Sequence, residues 1–135
     1  MIKIIAGQKG TGKTAKLVDD INQVAIEDSN VVCIERGNRL DQLLKCKVRL
    51  INIEEYPCTG YDQLLAFICG ICSKDYDLTH IYIDSISKVA KCDDSAKLAD
   101  FIAALDKLAA ASSITITVIL SGATDDLPES VKSFC

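Results

Sequence analysis

The sequence predicts an α/β fold: a three-layer sandwich in which a five-stranded, mostly parallel sheet carries helices on both faces. Three observations predict it. Short β-prone runs alternate with stretches of helical periodicity from end to end. Runs such as Val31-Val32-Cys33-Ile34 are continuously apolar, the mark of a strand covered on both sides. The run Gly7-Gln8-Lys9-Gly10-Thr11-Gly12-Lys13-Thr14 lies between an apolar strand and an amphipathic helix, the setting of a phosphate cradle.

Taken in order, residues 2 to 6 form a short buried strand that ends at the glycine loop. From Lys13 to about Glu27, Leu17, Val18, Ile21, Val24 and Ile26 recur at helical spacing, and Ser29-Asn30 ends that helix. Val31 to Ile34 is the second strand. Arg36-Gly37-Asn38 turns the chain, and Leu40, Leu43 and Leu44 suggest a short helix before the third strand, Val48 to Ile53. Glu54 to Pro57 is a loop. Thr59 and Asp62 have capping-box spacing, with the Thr59 hydroxyl placed to accept the Asp62 amide hydrogen and open a helix to about Ser73. Ile81-Tyr82-Ile83-Asp84 is a fourth strand ending in a carboxylate. Asp93, Asp94 or Ser95 caps the next helix, whose Leu98, Phe101, Ile102, Leu105 and Leu108 form one stripe. Ile114 to Leu120 is the fifth strand, and Pro128 suits a helix start in the tail.

With 135 residues, 49% of them hydrophobic and 25% charged, residues 1–135 suit a single folded domain. A net charge of -4 argues against an electrostatic grip on nucleic acid or on an anionic membrane. No charged leader precedes a long apolar stretch, so the expected home is the cytoplasm. Leu108 to Thr124 lacks charge but carries serines, threonines and Gly122, which suits a helix end and a strand better than a membrane span. Seven cysteines are an odd count for a disulfide framework. Cys69-Gly70-Ile71-Cys72 is the one C-x-x-C, and its apolar neighbours place it on the buried face of a helix. His80, the single histidine, precedes the fourth strand and has a structural role there.

In the glycine loop, Gly7, Gly10 and Gly12 let the backbone, with Gln8, Lys9 and Thr11 between them, curl so that successive amides point into one concavity that fits a polyphosphate, and Lys9 could add positive charge there or face water. Lys13 would reach the outer phosphates, and the Thr14 hydroxyl would coordinate Mg2+ at the first turn of the helix. Asp84, at the carboxyl end of an apolar strand, is where a second oxygen ligand for Mg2+ belongs. Strand ends in such a sheet share one rim, so the loop, Glu35, Glu54, Glu55, Asp84 and Ser121 converge there.

The chain resembles a P-loop NTPase of the RecA-like division. The resemblance rests on the glycine loop, on Ile83-Asp84-Ser85-Ile86, which is similar to the I/V-D-S-V of RecA-type recombinases, and on Tyr56 to Leu65, similar to their P-D-T-G-E-Q-A-L. It implies ATP or another NTP with Mg2+ as ligands and a sheet order of 3-2-4-5-1. It also implies Ser121 as γ-phosphate sensor, Asp41 as an adenine contact and Lys13 as a catalytic group; for a catalytic base the best remaining candidate is Glu35, with Glu54 and Glu55 behind it. Gly37 stands where the family has its catalytic glutamate, Ser85 follows Asp84, and Leu44 replaces a stacking tyrosine. Arg36 and Arg39 could serve a phosphate as arginine fingers. The first strand would be an open edge, protected by a homodimer or protein partner or by the tail. The expected function is a small ATPase or ATP-gated switch. The alternatives are a nucleotide-binding module without turnover and a small-molecule kinase; DNA-strand exchange lacks the segments and the charge it needs.

Overall fold

The computed structural model describes residues 1–8, 10, 12–25, 30–44, 47–121 and 127–135. Lys9 and Thr11 of the glycine loop, Ile26 to Ser29 at the predicted helix end, Cys46 and Gly122 lie outside the described residues.

Five strands, β1 (Ile2–Gly7), β2 (Val31–Glu35), β3 (Val48–Asn52), β4 (His80–Ile83) and β5 (Thr115–Ser121), form one sheet. The helices are α1 (Lys13–Val24), α2 (Tyr61–Lys74), α3 (Ile86–Ala90), α4 (Ser95–Ser112) and α5 (Glu129–Lys132). The sheet order is β1-β5-β4-β2-β3, and every pair is parallel. Traversed from the β3 edge, that order is 3-2-4-5-1. Gly7 lies opposite Ser121, and Glu35 opposite Asn52. The five carboxyl ends therefore share one rim.

Alternate strand residues divide the core in two. On one face Leu17 and Ile21 of α1 pack with Val31, Cys33, Leu40, Val48, Tyr82 and Ile119. On the other, α2, α3, α4 and α5 pack over Ile4, Ile34, Ile83, Val118 and their neighbours. Connections that move from β1 toward β3 cross the α1 face, and those that move back cross the other, as a uniform crossover hand requires. Tyr82 is buried, and its hydroxyl donates to Asp20 Oδ2 at 2.7 Å, tying α1 to the sheet.

Several local expectations shift. Residues 38 to 44 form turns, with Leu44 N donating to Leu40 O at 3.2 Å, where a short helix was expected. Leu40 is buried and Leu43 exposed, so too little apolar surface is covered to extend a helix there. The third strand stops at Asn52, and Ile53–Glu55 is a 3-10 turn because the Asn52 side chain accepts the Glu54 amide. At the start of α2 the Thr59 hydroxyl is not the cap. Gly60 takes that position at φ 87, and Gln63 Oε1 reaches back to accept the Thr59 amide at 2.7 Å. Asp94 does cap α4, accepting from Ala96 N and Lys97 N. Cys69 corrects the cysteine expectation: it is exposed, and Cys72 only half-buried, because Tyr61, Leu64 and Ile68 make the inner face of α2. The β1 edge is crossed by the tail, Ile4 N donating to Phe134 O at 3.0 Å.

Candidate functional site

The glycine loop leaves β1 and enters α1 directly. Gly10 and Gly12 have φ of 87° and 81°, in the region that side chains rarely adopt. A Cβ at either would meet nothing within 4 Å among the described residues, and the backbone conformation alone calls for glycine. Gly12 sits at the N-cap of α1 and supplies no side-chain cap, and a helix N-terminus of this kind favours an anion. Lys13 folds back on the loop: its Nζ donates to Gly7 O at 2.7 Å and to Gln8 O at 2.9 Å. An incoming polyphosphate would have to draw the ammonium off these carbonyls. Thr14 is half-buried one residue on, and Gly10, Gln8 and Ser121 are exposed.

Asp84 follows β4, its amide donating to Ile34 O at 3.0 Å and its side chain 1% exposed. Ser85 then adopts φ 54°, ψ 69°, an uncommon conformation for serine, and starts α3. That five-residue helix has no sequence signature, because Ile86, Val89 and Ala90 are too short a run to show a period. Arg39 Nη2 donates to Asp84 Oδ2 at 2.9 Å, and the Ser85 hydroxyl makes a long bond to Oδ1 at 3.4 Å. β5 lies between β1 and β4, so roughly 10 Å separates the loop strand from the Asp84 strand. Thr14 and Asp84 offer the one or two protein oxygens that Mg2+ ordinarily takes alongside waters and phosphate oxygens. The residues fit the ion once Arg39 yields Asp84.

Glu35 ends β2 with 1% exposure. Its Oε2 accepts the Leu40 amide at 3.1 Å, and its Oε1 has no partner among the described residues. Burial pushes its carboxyl above the usual range; the Leu40 bond and nearby Arg39 oppose that shift, and Asp84 adds to it. A raised pKa suits a base, but this carboxyl is closed off from bulk solvent by the turn above it. Gly37 has φ 102° and donates its amide to Asn52 Oδ1 at 2.8 Å, a conformation that would strain a glutamate placed there.

Asp41 stands apart. It lines a cavity of about 280 Å3 with Asn38, Arg49, Asn52 and Glu55 on the β3 side. Four strand spacings, roughly 19 Å, separate β3 from the glycine-loop strand. Glu54 is taken by Arg36 Nε at 2.8 Å. His80 begins β4 at the opposite end of the sheet from the rim, stacked on Tyr82 with ring centroids 6.3 Å apart.

Among the described residues no helix is long and apolar enough to cross a membrane. No protein-family model matches this chain, and a search of curated proteins finds no match.

Proposed function

We propose that this protein binds an NTP, ATP first among them, with Mg2+ on a RecA-like P-loop core, and works as an ATPase or ATP-gated switch. The carrying observation is the glycine loop itself. Two glycines at positive φ lead into an uncapped helix N-terminus, with Lys13 resting on the loop carbonyls. Support comes from the register of Ser121 beside Gly7 and from Asp84 at the end of β4. Lys13 and the loop amides would hold the β- and γ-phosphates, and Thr14 and Asp84 the metal. Withdrawal of Lys13 from Gly7 and of Arg39 from Asp84 would pass the nucleotide state to the turn at 36–44.

One observation favours a second reading, a binding module without turnover: Glu35, the remaining candidate base, is enclosed, and Gly37 leaves the family's own position empty. Both readings require nucleotide binding. At a ligand concentration a hundredfold above Kd, Mg-ATP should stabilise the fold by about 2.7 kcal/mol, a midpoint shift on the order of 10 °C. Lys13→Ala should abolish that shift while its own unfolding remains cooperative. If ATP, GTP and ADP at millimolar concentration all leave the midpoint unmoved, with and without Mg2+, nucleotide binding is wrong.

A further inference from the structure

A second cavity opens on the same rim, away from the glycine loop. It holds about 150 Å3 and is lined by Arg36, Arg39, Asp84, Ser85 and Lys88. Its place follows from where the chain goes after each strand. Chains leaving β1 and β2 turn to the α1 face, whereas those leaving β3, β4 and β5 turn to the other. Neighbouring strands whose chains part in this way leave a crevice beyond their carboxyl ends, where ligands of parallel sheets bind. The parting occurs between β1 and β5, at the glycine loop, and again between β4 and β2 and between β2 and β3. The last is bridged by Gly37 N to Asn52 Oδ1 and by Arg36 to Glu54. The crevice between β4 and β2 holds the cavity.

Its lining is cationic around one buried acid. Arg39 binds Asp84 through Nη2, yet its side chain is 60% exposed, so much of its five-donor fork faces the cavity and solvent. Arg36 is paired with Glu54, but both side chains are close to half exposed, and such a pair holds its arginine weakly. Lys88 is exposed and makes no ion pair among the described residues. Two guanidinium groups, an ammonium and the Ser85 hydroxyl are the donors that recognise an oxyanion. The volume narrows the ligand further. At about 150 Å3 the cavity is below the ~300 Å3 at which pockets for whole small molecules begin. One anionic group enters, and the rest of its carrier lies outside.

We infer that this cavity is a second anion site, which takes a single phosphoryl or carboxylate group of a ligand other than the nucleotide, held by Arg36, Arg39, Ser85 and Lys88. The site stands on its own lining and topology, whether or not the glycine loop binds nucleotide. An anion there competes with Asp84 for Arg39, so its arrival loosens the Arg39–Asp84 ion pair.

The test is calorimetric titration of inorganic phosphate, and separately of acetate, into the full chain carrying Lys13→Ala, which removes the loop lysine. One anion should bind per chain. Adding Lys88→Ala or Arg36→Ala should weaken it roughly tenfold, the loss of one charge-assisted contact, and Lys88→Arg should restore it. Both side chains are exposed, so unfolding midpoints should hold and a folding defect cannot imitate the result. Tighter phosphate than acetate assigns a phosphoryl ligand, and the reverse a carboxylate. No binding of either anion to the Lys13→Ala chain, or binding indifferent to Arg36→Ala and Lys88→Ala, overturns the inference. Mg-ATP stabilisation of the unmodified chain is read separately, so failure of nucleotide binding leaves this result standing, and the converse holds too.

Discussion

Glu35 has one carboxyl oxygen on the Leu40 amide and the other without a partner among the described residues, at 1% exposure. Desolvation is the largest cause of its raised pKa. Between the ordinary value of 4.5 and the raised one, the folded chain keeps a proton that the unfolded chain has released. Stability from this group is therefore complete below that window and declines as pH rises through it. In Glu35→Gln the amide keeps an acceptor for Leu40 N, and urea unfolding at a series of pH values above 4.5 should show a shallower decline than the parent. Identical slopes would sink the assignment. The places of Lys13 and Thr14 in the first turn of α1 and of Asp84 directly after β4 were legible because spacing within a short loop or at a strand end fixes them. Arg39 as the partner of Asp84 was not, since 45 residues separate them and only the β2–β4 pairing makes them neighbours.

The longer elements announced themselves. α4 has an Asp cap and a stripe at helical spacing, and β2 is apolar at four successive positions, so local chemistry and burial agree. Cys69 and the start of α2 did not, because a helix with apolar residues all round does not declare which side faces inward. α5 is only four residues long and is held by tertiary packing, with Val131 fully buried and Phe134 half-buried against the core. It also carries the edge: β1 would otherwise present Ile4 N to any passing strand. Val131→Asp should undock the tail, since a carboxylate cannot occupy that buried site unpaired. The expected result is a lower denaturation midpoint together with concentration-dependent association in sedimentation. A variant that stays monomeric at all concentrations would mean that the tail is not what protects the β1 edge.

Across the whole molecule, the sheet order and the two-faced covering decide what can meet on the rim. Gly7 and Ser121 are neighbours by register, Glu35 ends β2 and Asp84 directly follows the adjoining β4, and Asp41 falls away toward the far edge. If Glu35 is the base, the 36–44 turn must lift before water reaches it. Turnover of Mg-ATP should then be slow, below ~1 s⁻¹, the low end of typical enzyme rates. It should vanish in Glu35→Gln while nucleotide-induced stabilisation persists. Phosphate release faster than that, or unaffected by Glu35→Gln, would show that another group does the work. The alternation of strands and helices, the glycine loop and the carboxylate after β4 can be read from the amino acids alone. Each of these is written in residues close together in the chain. That Arg39 holds Asp84, that Glu35 is enclosed and that a cationic cavity lies between β4 and β2 follow from how the chain folds. Those contacts join distant segments, and their energies depend on burial, which no local pattern of residues specifies.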